Sequence, residues 1–113
     1  MQIYVKDLVN IEGIKLLSNN DSLDKKIDNF YTCDLLSWVM GHIHEPNTML
    51  LTVLNSMNAI AVASLLDMSA VVFCEDVIPS EDIISKANEE GIPVFTSKFT
   101  TFDTAYLIKK MQG

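Results

Sequence analysis

"LTVLNSMNAIAVASLLD", residues 51–67, carries no charge before its last residue and continues an apolar stretch that begins at Thr48. Drawn as one helix from residue 48 to residue 66, it approaches the roughly 20 residues that cross a bilayer. Asn55, Ser56 and Asn58 would then lie near the middle of the hydrocarbon. Burial there is costly unless other helices satisfy these side chains, and the chain offers no second span. Taken as an apolar strand, a polar turn and a helix, the same three residues become turn and N-cap chemistry, and the chain folds back at Asn55 in water.

The same grammar recurs twice downstream. "TMLLTVL" with "NSMNAIAVASLLD", "SAVVFCE" with "PSEDIISKANEEG", and "IPVFTS" with "TTFDTAYLIKKMQG" each pair an apolar strand with a capped helix. Strands and helices alternating at this spacing predict crossover connections and parallel strands buried on both faces. Pro79 and Ser80 open the second helix, with Glu81 and Asp82 in its first turn, and Gly91 closes it. Thr100 and Asp103 have the spacing of a capping box with a shortened acid.

Upstream the pattern is looser. Val5, Leu8 and Val9 have helical spacing, "GIKLLSNND" alternates weakly as a strand, and Ile27, Phe30 and Tyr31 mark a second extended run. A hairpin between these two runs is expected. In "TCDLLSWVMGHI", Leu35, Leu36, Val39, Met40 and Ile43 form one helical face, with Thr32 or Asp34 as N-cap. The fold class expected is therefore α/β: one domain spanning residues 1–113, a largely parallel sheet flanked by helices.

Composition narrows the function. The 113 residues are 49% hydrophobic and 20% charged, the balance of a globular chain. The net charge of −7 comes from fifteen acids against eight lysines and no arginine, which opposes nucleic acid binding. The lysine pairs Lys25–Lys26 and Lys109–Lys110 read as solvated faces, the latter also suiting the negative end of a final helix. Cys33 and Cys74 are too few for a disulfide framework, and "MQIYVKDLVN" lacks the basic and apolar segments of a signal peptide. The expected location is the cytoplasm, with no membrane contact.

Chemistry is mostly excluded. The glycines Gly13, Gly41, Gly91 and Gly113 are too scattered for a phosphate loop or a dinucleotide fingerprint. His42 and His44 would diverge on a helix, so no metal site with Glu45, Cys33 and Cys74 is expected; Ser37, Ser56 and Ser64 lack a glycine-flanked elbow, so no nucleophile–base pair is expected either. The acid pairs Glu75–Asp76, Glu81–Asp82 and Glu89–Glu90 read as surface groups. No catalytic residue, metal or cofactor is assigned. What remains is the carboxyl edge of the sheet, where strand ends and helix N-termini favour polar ligands. Thr52, Asn55, Ser56 and Asn58 occupy one junction there, and Thr96, Ser97, Thr100 and Thr101 another; their simplest role is capping.

The segments "YTCDLLSWVM", "TVLNSMNAIAVASLLDMSAVVF", "ANEEGIPVFTS" and "TTFDTAYLI", in this order, resemble the DRTGG-domain family, in particular its short stand-alone members. The resemblance runs from Tyr4 to Ile108. It implies a fold similar to the N-terminal domain of HPr kinase/phosphorylase, and a role as an accessory module of the kind found in phosphotransacetylases and beside CBS domains in pyrophosphatases. Stand-alone relatives are often encoded near iron hydrogenase and electron-transfer genes. The Asp-Arg-Thr-Gly-Gly string itself is absent. Of the relatives' Thr-x-x-x-His-x-Asn pattern, Thr52 and Asn58 match while Ser56 replaces the histidine; their Leu-Leu-Ser-Asp becomes Leu35, Leu36, Ser37, Trp38.

The leading expectation is a non-catalytic regulatory module, homodimeric, that senses a small polar or nucleotide-like ligand through Asp34, Ser37, Thr52, Asn55, Ser56, Asn58, Thr96, Thr100 and Thr101. Trp38, Met40, Met49, Met57, Met68 and Phe73 are expected mostly in the core, with a remainder for symmetric pairing. The alternative is a protein-interaction subunit of a hydrogenase-associated, electron-transfer or kinase-regulatory system with a vestigial pocket. An enzyme, as a phosphoryl-transfer accessory by analogy with HPr kinase, ranks third.

Overall fold

The uncharged stretch divides where its polar residues fall. In the computed structural model, which describes residues 2–113, Thr48–Thr52 is a strand with every residue buried, and Met57–Leu65 is a helix whose N-cap is Ser56. Ser56 Oγ accepts the Asn58 amide at 3.1 Å, satisfying one of the donors that a helix start leaves open. Among the described residues no helix is long and apolar enough to cross a membrane.

In chain order the elements are β1 (Ile3–Tyr4), a 3-10 turn (Val5–Asn10), β2 (Ile14–Leu16), β3 (Lys26–Ile27), β4 (Asn29–Thr32) and α1 (Leu36–His42). After these come β5 (Thr48–Thr52), α2 (Met57–Leu65), β6 (Ala70–Phe73), α3 (Glu81–Glu90), β7 (Val94–Ser97), α4 (Thr101–Lys109) and a last 3-10 turn, Lys110–Gln112. The three predicted strand–helix units are β5–α2, β6–α3 and β7–α4. Ser80 Oγ caps α3 by accepting the Ile83 amide, and Gly91 ends it at φ 71°. Thr100 Oγ1 caps α4 by accepting the Asp103 amide at 3.1 Å.

The main sheet has five strands in the order β2-β7-β6-β5-β4, with β4 to β7 parallel and β2 antiparallel at one edge. Because side chains alternate along a strand, each buried strand feeds two layers. Leu50, Val71 and Val94 pack with Val39, Ile60, Ala63, Ile83 and Ala87 under α1, α2 and α3. Met49, Leu51, Val72 and Phe95 pack on the other face with Ile3, Val5, Leu8, Ile27 and Ile108, under α4 and the N-terminal segment. Each of the buried Val, Leu, Ile, Phe and Met side chains contributes about 1.5–3 kcal/mol of apolar burial.

The looser upstream pattern yields corrections. No hairpin joins the two extended runs: β2 pairs with β7, β3 with β1, and β4 with β5. The imperfect alternation around Asp28 marks the step from the small β1–β3 ribbon into the main sheet. Neither Thr32 nor Asp34 caps α1, whose N-cap is Leu35 with no side-chain bond; Asp34 is engaged elsewhere. Val39 and Ile43 are buried, but Leu35 and Met40 lie outside the core, as do Trp38 and Met57, while Met49, Met68 and Phe73 are inside it. Lys25 is no solvated residue either. Its Nζ donates to the Gly91 carbonyl at 3.0 Å, and partial burial pulls its pKa down, an effect that the Asp67 charge opposes.

Candidate functional site

The carboxyl ends of β4, β5, β6 and β7 meet the N-termini of α1, α2 and α4 along one rim. Asp34, just beyond β4, reaches across to the end of β5: its Oδ1 accepts the Thr52 hydroxyl at 2.6 Å and the Val53 amide at 2.9 Å. Thr52 Oγ1 in turn accepts the Leu54 amide at 3.1 Å. A buried threonine hydroxyl needs such a partner, and a charged acceptor makes the bond short. Asp34 Oδ2 has no partner among the described residues, and Asp34 itself is exposed.

The β7–α4 junction closes on itself. Thr104 Oγ1 donates to the Thr100 carbonyl at 2.7 Å, so the Ser97 hydroxyl is the donor in the 2.8 Å contact between Ser97 Oγ and Thr104 Oγ1. Ser97 Oγ also accepts the Phe99 amide. Both side chains are buried and both are satisfied within the chain.

Cys74 lies between the two junctions. It is buried, and that burial raises its pKa; the Thr104 and Thr101 hydroxyls beside it act the other way, while the charges of Asp34 and Glu75 add to the rise. The thiol is therefore protonated and poorly nucleophilic at neutral pH. Directly after it, Glu75 and Asp76 adopt successive left-handed conformations at φ 59° and 61°. That geometry is uncommon for residues with a side chain and costs about 1 kcal/mol or more at each position. It is held by the Glu75 amide donating to the Phe99 carbonyl and the Asp76 amide to the Ser97 carbonyl.

Of the predicted site residues, Asp34 and Thr52 come together, with Thr101 nearby through Cys74. Ser56 and Thr100 each cap their own helix. Thr96 is buried and donates to the Val77 carbonyl at 2.8 Å, bracing the β6–α3 loop. Ser37, Asn55 and Asn58 are exposed, with side chains that bond to none of the described residues.

His42 stacks on Trp38, with its Nδ1 2.9 Å from the Trp38 carbonyl. Among the described residues no three His, Cys, Asp or Glu side chains are grouped to hold a metal.

The residues also leave a groove of about 470 Å³ along β4 and α4, lined by Phe30, Thr32, Phe102, Ala105, Tyr106 and Lys109 among others. None of the predicted residues lines it. Its signal in the sequence is the spacing of Phe102 and Tyr106, which share a helical stripe apart from the buried Thr104 and Ile108.

A parallel sheet with polar side chains gathered at its carboxyl edge is the layout in which open α/β sheets hold ligands. The chain belongs to the DRTGG domain family, whose model matches residues 7–111. Domains of this family are of a regulatory, ligand-sensing type. No curated protein matches the chain.

Proposed function

We propose that this chain is a cytoplasmic, non-catalytic regulatory module that works as a homodimer and senses a small polar or nucleotide-like ligand at the β5–α2 junction. The observation that carries this is the Asp34 carboxylate. One oxygen is fixed by Thr52 and Val53, while the other has no partner among the described residues. Fixed acceptors of this kind suit the hydroxyl or amino groups of a ligand. The exposed Ser37, Asn55 and Asn58 and the strained Glu75–Asp76 turn border the same rim.

An acid at this position disfavours direct contact with a phosphate, so a nucleotide would be held through its sugar or base. The closed β7–α4 junction leaves Ser97, Thr100 and Thr104 to architecture. A thermal-shift screen with nucleosides, nucleotides, dinucleoside polyphosphates and small metabolites tests the proposal. A specific ligand at a hundred times its Kd stabilises by about 2.7 kcal/mol, and Asp34→Ala removes that gain. Stabilisation that survives Asp34→Ala contradicts the assignment.

One observation favours the second reading, an interaction subunit. Leu35 at the N-cap of α1, Trp38 and Met40 within it, and Met57 at the start of α2 are exposed by 40–60%. Trp and Met are enriched at protein-binding surfaces relative to the rest of a protein's surface. Co-purification of a defined electron-transfer or kinase-type partner, lost on Trp38→Ala, together with an empty ligand screen, would favour this role over sensing.

A further inference from the structure

We propose that the open edge of β4 and the outer face of α4 form the surface on which a second copy of this chain docks, about a two-fold axis beside Tyr106. The proposal rests on the homodimer reading above and gives it a location.

Strand β4 ends the sheet on this side. In its parallel ladder with β5 the amides of Asn29 and Cys33 point to the Asn47 and Leu51 carbonyls. Alternation then turns the amides and carbonyls of Phe30 and Thr32 outward. The strand contains neither a charged residue nor a proline, the usual protections of a free edge. Beside it Phe102 is 78% and Tyr106 60% exposed, an unusually large aromatic surface to leave in water.

The charges identify the occupant. A chain of net charge −7 repels its own copies over most of its surface. This face is different: Lys109 Nζ lies 5.5 Å from the Phe30 ring and Lys110 Nζ 5.5 Å from the Tyr106 ring, and neither lysine is ion-paired among the described residues. Along α4 the order is Phe102, Asp103, Tyr106, Lys109, Lys110. Antiparallel pairing of α4 with its copy about Tyr106 sets Asp103 against the partner's Lys109 and Phe102 against the partner's Lys110. Every charge on the stripe meets an opposite charge or an aromatic face, and the two helix dipoles oppose one another. The same axis brings the two β4 edges together in antiparallel sense.

Sedimentation equilibrium on the whole chain tests this. The wild type is expected to be a dimer, and Phe102→Asp to weaken association at least about tenfold, or about 1.4 kcal/mol. Far-UV circular dichroism confirms that this exposed substitution leaves the fold intact. Asp103→Lys and Lys109→Glu should each weaken the dimer, and the double variant should restore it.

A monomeric wild type overturns both the homodimer and this surface, and leaves the groove to another occupant. A dimer untouched by Phe102→Asp overturns the surface alone. Loss on Phe102→Asp without rescue by the double variant overturns the antiparallel arrangement. The ligand screen on Asp34 reads independently of all three.

Discussion

At the β7–α4 junction hydroxyls close on one another, Ser97 to Thr104 to the Thr100 carbonyl, whereas at the β5–α2 junction Thr52 turns to a carboxylate supplied by a different element. Both junctions are rich in Ser and Thr, and both follow a buried strand. The difference lies in what each leaves unsatisfied. The first spends its Ser97 and Thr104 hydroxyls internally, while at the second one Asp34 oxygen is held by Thr52 and Val53 and the other has no partner among the described residues. Polar residues at a strand end are therefore poor guides to function until their partners are known.

The contrast can be broken by substitution. Thr104→Val strands the buried Ser97 hydroxyl and should cost about 1–3 kcal/mol in urea unfolding, with ligand response unchanged at matched stability. Asp34→Ala strands the buried Thr52 hydroxyl and should likewise cost about 1–3 kcal/mol, yet abolish ligand response. Equal loss of ligand response in the two variants would dissolve the distinction. Ser56→Ala and Thr100→Ala, one cap at each junction, should each cost about 1 kcal/mol. Their effects should add, because the two caps share no partner.

Cys74, between the junctions, should resist a thiol reagent in the folded protein and react only on unfolding. Cys33, half-buried outside the core, should label first. Mass spectrometry of partially labelled protein distinguishes them, and early modification of Cys74 would show that the rim opens.

The smallest effect serves as a control away from both junctions. Glu90 has its pKa lowered by Lys86 and by the Ser64 hydroxyl. A depressed carboxylate contributes stability above its unfolded pKa and loses it as pH falls through the folded value. The small melting difference between wild type and Glu90→Gln should thus be present at neutral pH and vanish in acid.

The sequence was legible where structure is local. Ser56, Ser80, Thr100 and Gly91 act within a few residues of themselves, and the three strand–helix units carry their own periodicity. It was opaque where partners are distant. The pairing of β2 with β7 depends on Gly13 at φ 95°, whose carbonyl accepts the Lys98 amide, and nothing near residue 13 announces that contact. Asp34 has the spacing of an N-cap but is taken by Thr52, because the parallel register sets the ends of β4 and β5 side by side. Nor does "CED" signal two successive left-handed residues: Asp76 tolerates that conformation, but Glu75 does not favour it. The residue types at the sheet's carboxyl edge were thus readable, but the bond between Asp34 and Thr52 and the division into open and closed junctions were not.

The central claim is that ligand contact is confined to the Asp34–Thr52 cluster. Amide chemical shifts of isotope-labelled protein, followed during titration with a compound from the screen, test it most directly. The largest changes are predicted at Asp34, Val53 and Leu54, with Ser97 and Thr104 little affected. Changes centred on Phe30, Phe102 and Tyr106, or on the β7–α4 junction, would contradict it.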